Sequence, residues 1–195
     1  HLFGFSFYAL DQGYVCNKTT RSFWLIIWIE ELQTRKKLSR IFSAYESTFP
    51  EDERRDKDQF LSLIENPDCF IFAVKNDDDF VGYLILWKLE DFYFLEHFEV
   101  FEEFRNLKLG SQILSELQEK FGNIVLESEP NSLGEMAERR INFYVRNGFS
   151  VISEEYIQPS YGAGKNAIHL FLLSNFAIAE VKAIQNEIYS KVYLF

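Results

Sequence analysis

A change of hydrophobic period along the chain constrains its fold more than any other feature. Cys69–Lys75, Phe80–Trp87 and Phe92–Phe101 are three apolar runs of strand character. Asn76 to Asp79 is a turn signal between the first two, which predicts an antiparallel hairpin. The period then lengthens: Leu109, Ile113, Leu114, Leu117 and Phe121 fall on one helical face. A short strand Ile124–Glu129, a helix over Gly134–Asn147 stopped by Gly148, and strands Phe149–Glu155 and Ile168–Leu173 follow. Upstream, Phe23–Glu30 reads as a buried strand. Leu38, Ile41, Phe42 and Tyr45 trace a helix closed by Pro50, and Phe60, Leu61 and Ile64 a shorter one ending near Asn66-Pro67. Ala177, Val181, Ile184, Ile188 and Val192 mark a terminal amphipathic helix. Strands and helices mixed in this order predict an α/β (α+β) sheet with a parallel pair among antiparallel strands.

The chain has 195 residues, enough for one domain with a substantial core. Thirty acidic residues against twenty basic leave a net charge of -10, which argues against general nucleic-acid binding. Phe23 to Ile29, the longest apolar run, is far short of the ~20 residues needed to span a bilayer. Cys16 and Cys69 form neither a disulfide framework nor a metal knuckle, so a reducing, cytoplasmic location is expected, with no metal. Residues 1–22 match no usable pattern and are set apart as an extension. The charged run Glu51-Asp52-Glu53-Arg54-Arg55 reads as solvated.

The stretch from Leu95 to Phe149 carries the chemistry. A strand ending Phe98-Glu99-Val100 leads through Phe104-Arg105-Asn106-Leu107-Lys108-Leu109-Gly110-Ser111 into a helix. Such a turn aims unpaired backbone N–H groups, backed by the helix dipole, at one spot that attracts phosphate. Arg105 and Lys108 add positive charge there, and the spacing is not that of a Walker loop.

These residues resemble the GNAT superfamily of acetyl-CoA-dependent N-acetyltransferases. The family's Arg/Gln-x-x-Gly-x-Gly/Ala turn stands here as Arg105-Asn-Leu-Lys108-Leu-Gly110. An aromatic-Tyr pair before a helix-ending Gly-Phe stands as Phe143-Tyr144-Val-Arg-Asn-Gly148-Phe149, and Val125-Leu126-Glu127 is similar to the family's Leu-Glu-Val strand. The resemblance covers roughly residues 25–174. It implies a mostly antiparallel mixed sheet, one splayed parallel pair and flanking helices, with 23–174 as the transferase domain. Residues 175–195 then form an extra helix, packed on the domain or at a dimer interface. Lys108 departs from the motif, standing where the family has its first glycine. It either salt-bridges a phosphate or crowds the cofactor.

The resemblance further implies acetyl-CoA as co-substrate, lying between the parallel strands with its pantetheine arm on the backbone at Phe98 and Val100. Arg105, Leu107, Lys108, Gly110 and Ser111 would then cradle its phosphates. Acetyl would pass directly, in a ternary complex, to a primary amine on a small molecule, peptide or protein. Tyr144 holds the motif position of the acid that protonates the departing thiolate; a core tyrosine is the alternative. Glu127 matches the base of ribosomal-protein alanine acetyltransferases. Glu96 is its rival, because strand alternation puts Phe94, Glu96, Phe98 and Val100 on one face, where desolvation would raise its pKa. The alternatives for Glu96 are an edge carboxylate or a pair with Arg139 or Arg140. Those arginines could also pair with Glu135 and Glu138. His97 reads as a satisfied strand histidine. The stretch from Tyr156 to Gly164 is either an acceptor-side loop or an ordinary one. A CoA- or acyl-CoA-binding module without catalysis is the competing reading of the whole chain, and a pure interaction domain a third.

Overall fold

The computed structural model describes residues 27–77 and 79–194. Cys16, the extension 1–22 and the first part of the expected Phe23–Glu30 strand lie outside them. Seven strands form one sheet in the order β1-β2-β3-β4-β5-β7-β6. They are β1 Ile27–Glu31, β2 Cys69–Asn76, β3 Asp79–Lys88, β4 Tyr93–Val100, β5 Ile124–Ser128, β6 Ser150–Gln158 and β7 Ile168–Ser174. Only β4 and β5 pair parallel; every other neighbouring pair is antiparallel. The helices are α1 Arg35–Thr48, α2 Lys57–Ser62, α3 Leu109–Phe121, α4 Glu135–Arg146 and α5 Val181–Ile188.

Local chemistry sets these boundaries. The Asp56 carboxylate accepts from the Gln59 N–H and the Gln59 side chain accepts from the Asp56 N–H, both at 2.9 Å, a reciprocal cap that starts α2. Gly148, at φ 89, ends α4 as the sequence predicts. β3 is buried continuously from Val81 to Trp87, because helices cover both faces of the sheet. On one face α3 and α4 pack through Leu109, Ile113, Leu114, Leu117, Ile141 and Tyr144. On the other, α1, α2 and the C-terminal segment enclose Tyr45, Phe60, Trp87, Ile188 and Val192.

Two expectations are overturned. The first is the alternation of β4. Ile85 pairs His97 while the next residue, Leu86, pairs Leu95, so Glu96 is an extra residue in a bulge. Phe94 joins the α1/α2 core, whereas Phe98 and Val100 pack toward α3 and α4. Glu96 and His97 therefore turn to the same side, the face of α1 and α2. The second is the solvated reading of Glu51–Arg55. Arg55 is only 2% exposed. It lies just before the α2 cap, where the chain must pass beneath Tyr45, whose hydroxyl accepts from the Arg55 N–H at 2.7 Å.

Gly82 of β3 lies opposite Val100, and a Cβ there would sit 2.1 Å from the Glu99 carbonyl oxygen. No rotamer relieves a clash with backbone. Gly82→Ala is expected to cost about 3 kcal/mol, read as a lowered urea midpoint. A midpoint matching the parent would mean that β3 and β4 do not approach this closely.

Candidate functional site

The parallel pairing of β4 with β5 stops after Leu95 opposite Leu126. Beyond it both strands continue without each other, and Glu96 and Glu127 are the first residues past the parting. A cavity of about 560 Å³ opens there. It is lined by Glu96, Phe98, Val100, Arg105, Lys108, Gly110, Ser111, Glu127 and Tyr144, so one space gathers nearly all the residues singled out in the sequence. Leu107 is the exception: it is 51% exposed and does not line the cavity. Phe49, Phe98, Phe104 and Phe143 also border it. Phe92, Phe94 and Phe149 are core.

The turn into α3 follows from its backbone. Lys108 takes φ 62 and ψ 11 and Asn106 φ 67, left-handed conformations that favour glycine. This is why a glycine suits position 108, and why the exposed lysine side chain there is carried outward from a strained residue. No side chain caps α3 and no acidic residue occupies its first turn, so its N–H groups face the cavity mouth uncompensated. A Cβ on Gly110 would lie 3.0 Å from the Phe143 ring, so the absent side chain lets α3 close on α4, which carries Tyr144. These features fit a phosphate-bearing ligand reaching from the turn along the free edge of β4. Arg105 Nε donates to the Val100 carbonyl at 3.1 Å, tying the turn back to that edge.

The two glutamates have opposite surroundings. Glu96 accepts from Trp87 Nε1 at 2.6 Å, from the Tyr161 hydroxyl at 2.8 Å and from Arg55 Nη2 at 3.1 Å. Burial pushes its carboxyl up, but the Arg55 charge and the two neutral donors prevail and hold it below the ordinary value. The expected upward shift at Glu96 is thus reversed. Its partner is Arg55 rather than Arg139 or Arg140. Arg139 pairs with Glu135 at 2.6 Å as expected, but Arg140 pairs with Glu129, not Glu138. Among the described residues no cation pairs with Glu127. The Tyr193 hydroxyl donates to its Oε1 at 2.6 Å, and Oε2 has no hydrogen-bond partner. Burial pushes its carboxyl up to about 8, with Tyr193 opposing and the charge of Glu96 adding.

Tyr144 is 7% exposed, between Phe143 and Phe149. Burial raises its phenol to about 12, partly offset by Arg140. His97 sits edge-on to Tyr45 and Phe49, and its Nε2 lies 3.0 Å from the Glu53 carbonyl. A carbonyl only accepts, so Nε2 carries the hydrogen. Burial lowers the His97 pKa against the pull of Glu96, which leaves a neutral, held imidazole. Tyr161 leaves the loop after β6 to bond Glu96, so that loop enters the site's interior.

Three contributors escaped the sequence reading, Arg55, Trp87 and Tyr193, while Tyr161 entered it only within the stretch from Tyr156 to Gly164. Trp87 carried a usable signal, because a tryptophan central in an apolar strand must find a partner for its N–H. Arg55 was masked by charged neighbours. Tyr193 lies 66 residues after Glu127, well beyond the motif segment.

Residues 35–149, more than half of the chain, match the family described as acetyltransferase (GNAT) family. The fold and the parted strands define a transferase of this class, and the chain belongs to the GNAT acetyltransferase family. Membership implies acyl-CoA-dependent acyl transfer. A GNAT-family protein from Bacteroides thetaiotaomicron is 27% identical, with a TM-score of 0.77 over 85% of this chain and 98% of that one. The PaiA N-acetyltransferase of Thermoplasma acidophilum, solved in complex with coenzyme A, shares the fold at 17% identity and TM-score 0.54, covering 78% and 99%. Arabidopsis thaliana NAA60, solved with a bisubstrate analogue, does so at 12% and 0.58, covering 76% and 97%. Among curated protein sequences none matches significantly. No helix among the described residues is long and apolar enough to cross a membrane.

Two stability measurements follow. Arg55→Met leaves Glu96 buried without its cation and is expected to cost about 3–5 kcal/mol, with the double variant R55M/E96Q recovering part of the loss. Chemical denaturation at neutral pH reads both; a harmless R55M would contradict the ion pair. For Glu127, the folded carboxyl keeps its proton to about 8 while an unfolded glutamate loses it near 4.5. This group therefore contributes stability fully below about 4.5 that is lost as pH rises to about 8. Wild type should lose on the order of a few kcal/mol across that window. E127Q should be flatter there, and equal slopes would contradict the raised pKa.

Proposed function

We propose that this chain is an N-acetyltransferase that moves acetyl from acetyl-CoA to a primary amine by direct transfer in a ternary complex. The observation that carries this reading is a single cavity holding a carboxyl raised to about 8 and a phenol raised to about 12, beside an uncapped helix start. Acetyl-CoA supplies an activated thioester when bound. Arg105, Lys108 and the first N–H groups of α3, with Gly110 and Ser111, hold its phosphates. The free edge of β4 at Phe98 and Val100 guides the arm.

Glu127 acts as the base. A carboxyl poised near 8 is partly ionised at neutral pH, yet basic enough to take a proton from an ammonium, directly or through one water. Tyr144 acts as the acid: it stays protonated to about 12 and donates to the departing sulfur. Glu96, ionised and saturated by three donors, orders the wall of the cavity instead. The acceptor is a cation in water, and Glu53, Glu99, Glu127 and Glu129 line the same space. The net charge of -10 adds long-range attraction. Residues 175–195 belong with the transferase domain, given the buried Ile188, Val192 and Tyr193.

Tyr144→Phe should slow transfer at least about tenfold, as losing a general acid does, while leaving acetyl-CoA affinity within a few-fold by calorimetry. E127Q should slow it comparably and abolish an acidic limb of the rate profile centred near 8. The assay is thiol detection of CoA released with a pool of spermidine, kanamycin and a lysine-containing peptide. Binding of acetyl-CoA without transfer to any amine would favour the catalytically silent acyl-CoA-binding module. No binding at millimolar concentration would retire both.

A further inference from the structure

Through two consecutive residues the C-terminal segment reaches Glu127 directly and Glu96 by way of Arg55. The Val192 carbonyl accepts from Arg55 Nη2 at 2.8 Å, the same nitrogen that reaches Glu96. The Tyr193 hydroxyl donates to Glu127 Oε1 at 2.6 Å. After α5 the chain widens into a turn over Tyr189–Tyr193 in which the Leu194 N–H bonds the Tyr189 carbonyl, five residues back, at 3.1 Å. Widened turns of this kind rotate the following side chains out of helical register. Here Val192 and Tyr193 are both buried, and Tyr193 packs on Tyr161 at 5.1 Å between ring centroids. Tyr189 anchors the turn by donating to the Ile157 carbonyl at 2.7 Å. Nothing about packing alone requires a phenol at 193; a phenylalanine would fill the same space.

We propose that Tyr193 is a positioning residue for acyl transfer: its hydroxyl fixes the Glu127 carboxylate through Oε1 and leaves Oε2 as the atom that takes the proton. The proposal rests on Glu127 being the base. Charge bookkeeping supports it. The groups facing Glu127 are Tyr193 from the C-terminal turn, Tyr156 from β6, Glu96 from β4 and Glu53 from the turn after α1, with Tyr161 and Tyr189 within electrostatic reach. No cation is among them. Neutral phenols are thus what keeps Glu127 from rising further, and Tyr193 is the largest of these contributions. Burial and Glu127 itself raise the Tyr193 phenol, so it remains a donor.

The test follows Glu127 directly and needs no known acceptor. In protein labelled with [δ-13C]glutamate, the resonance absent from E127Q is titrated with pH. Wild type is expected to titrate near 8. Tyr193→Phe should move the midpoint alkaline by about one unit, tenfold in the ionisation constant, and Tyr156→Phe by less. Replacing Tyr193 with 3-fluorotyrosine, a stronger donor of the same shape, should move it acidic; this arm holds even if Tyr193→Phe unfolds. A midpoint unmoved by either change, or moved more by Tyr156→Phe, overturns the proposal. The base reading fails separately: a fully active E127Q on the amine pool above sinks it and the positioning role together. An inactive E127Q with an unmoved Tyr193→Phe midpoint sinks only the role of Tyr193.

Discussion

A buried ion pair organises this molecule. Arg55 and Glu96 lie almost wholly out of water, where each alone would be several kcal/mol unfavourable. Further partners surround the pair: Trp87 and Tyr161 donate to the carboxylate and the Val192 carbonyl accepts from the guanidinium, while the buried Arg55 Nε has no hydrogen-bond partner among the described residues. Those partners come from β3, the loop after β6 and the C-terminal turn. Satisfying one pair therefore pins four separate pieces of chain around the parting of β4 and β5. The bulge at Glu96 is part of the same arrangement: Glu96 keeps the side of Phe94 and meets Arg55, while the extra residue brings His97 to that side too and turns Phe98 and Val100 toward α3 and α4.

The pair also explains how two glutamates immediately past the same break end in different states. Among the described residues, Arg55 is the cation hydrogen-bonded to either glutamate, and its partner is Glu96. Glu127 receives phenols only, so desolvation dominates there. Two like groups pushed apart by environment are what an acid–base reaction at neutral pH requires. In the proposed transfer the ionised glutamate is architecture and the poised one is the base. The turn proposed to bind phosphate needs none of this. It depends on backbone: a helix start without a cap, two left-handed residues and a glycine that lets α3 close on Phe143.

Much of the fold was legible because period reports burial. β2, β3, β5, α3, α4 and the terminal helix all fall where apolar spacing put them, and the Arg105–Gly110 turn with the Phe143–Phe149 segment carried the family resemblance. What escaped depends on long-range partners. Nothing near Glu51–Arg55 shows that Arg55 turns inward, because its reason to do so, Glu96, is 41 residues away. Strand alternation failed at Glu96 since a bulge is a property of two strands, not one. The expected direction of the Glu96 pKa failed as well: it set Glu96 among Phe94 and Phe98, whereas its partners are Arg55, Trp87 and Tyr161. Tyr193 could not be linked to Glu127 by spacing at all. Of the turn, only Leu107 was misplaced, pointing out of the cavity.

The unequal ionisation of Glu96 and Glu127 is most directly tested by the infrared absorption of the protonated carboxyl group. Compared below and above about pH 8, folded wild-type protein should lose one buried protonated-carboxyl band. That band should be missing from E127Q and preserved in E96Q. A band that vanishes with E96Q instead, or no buried protonated carboxyl at neutral pH, would contradict the division of roles between the two glutamates.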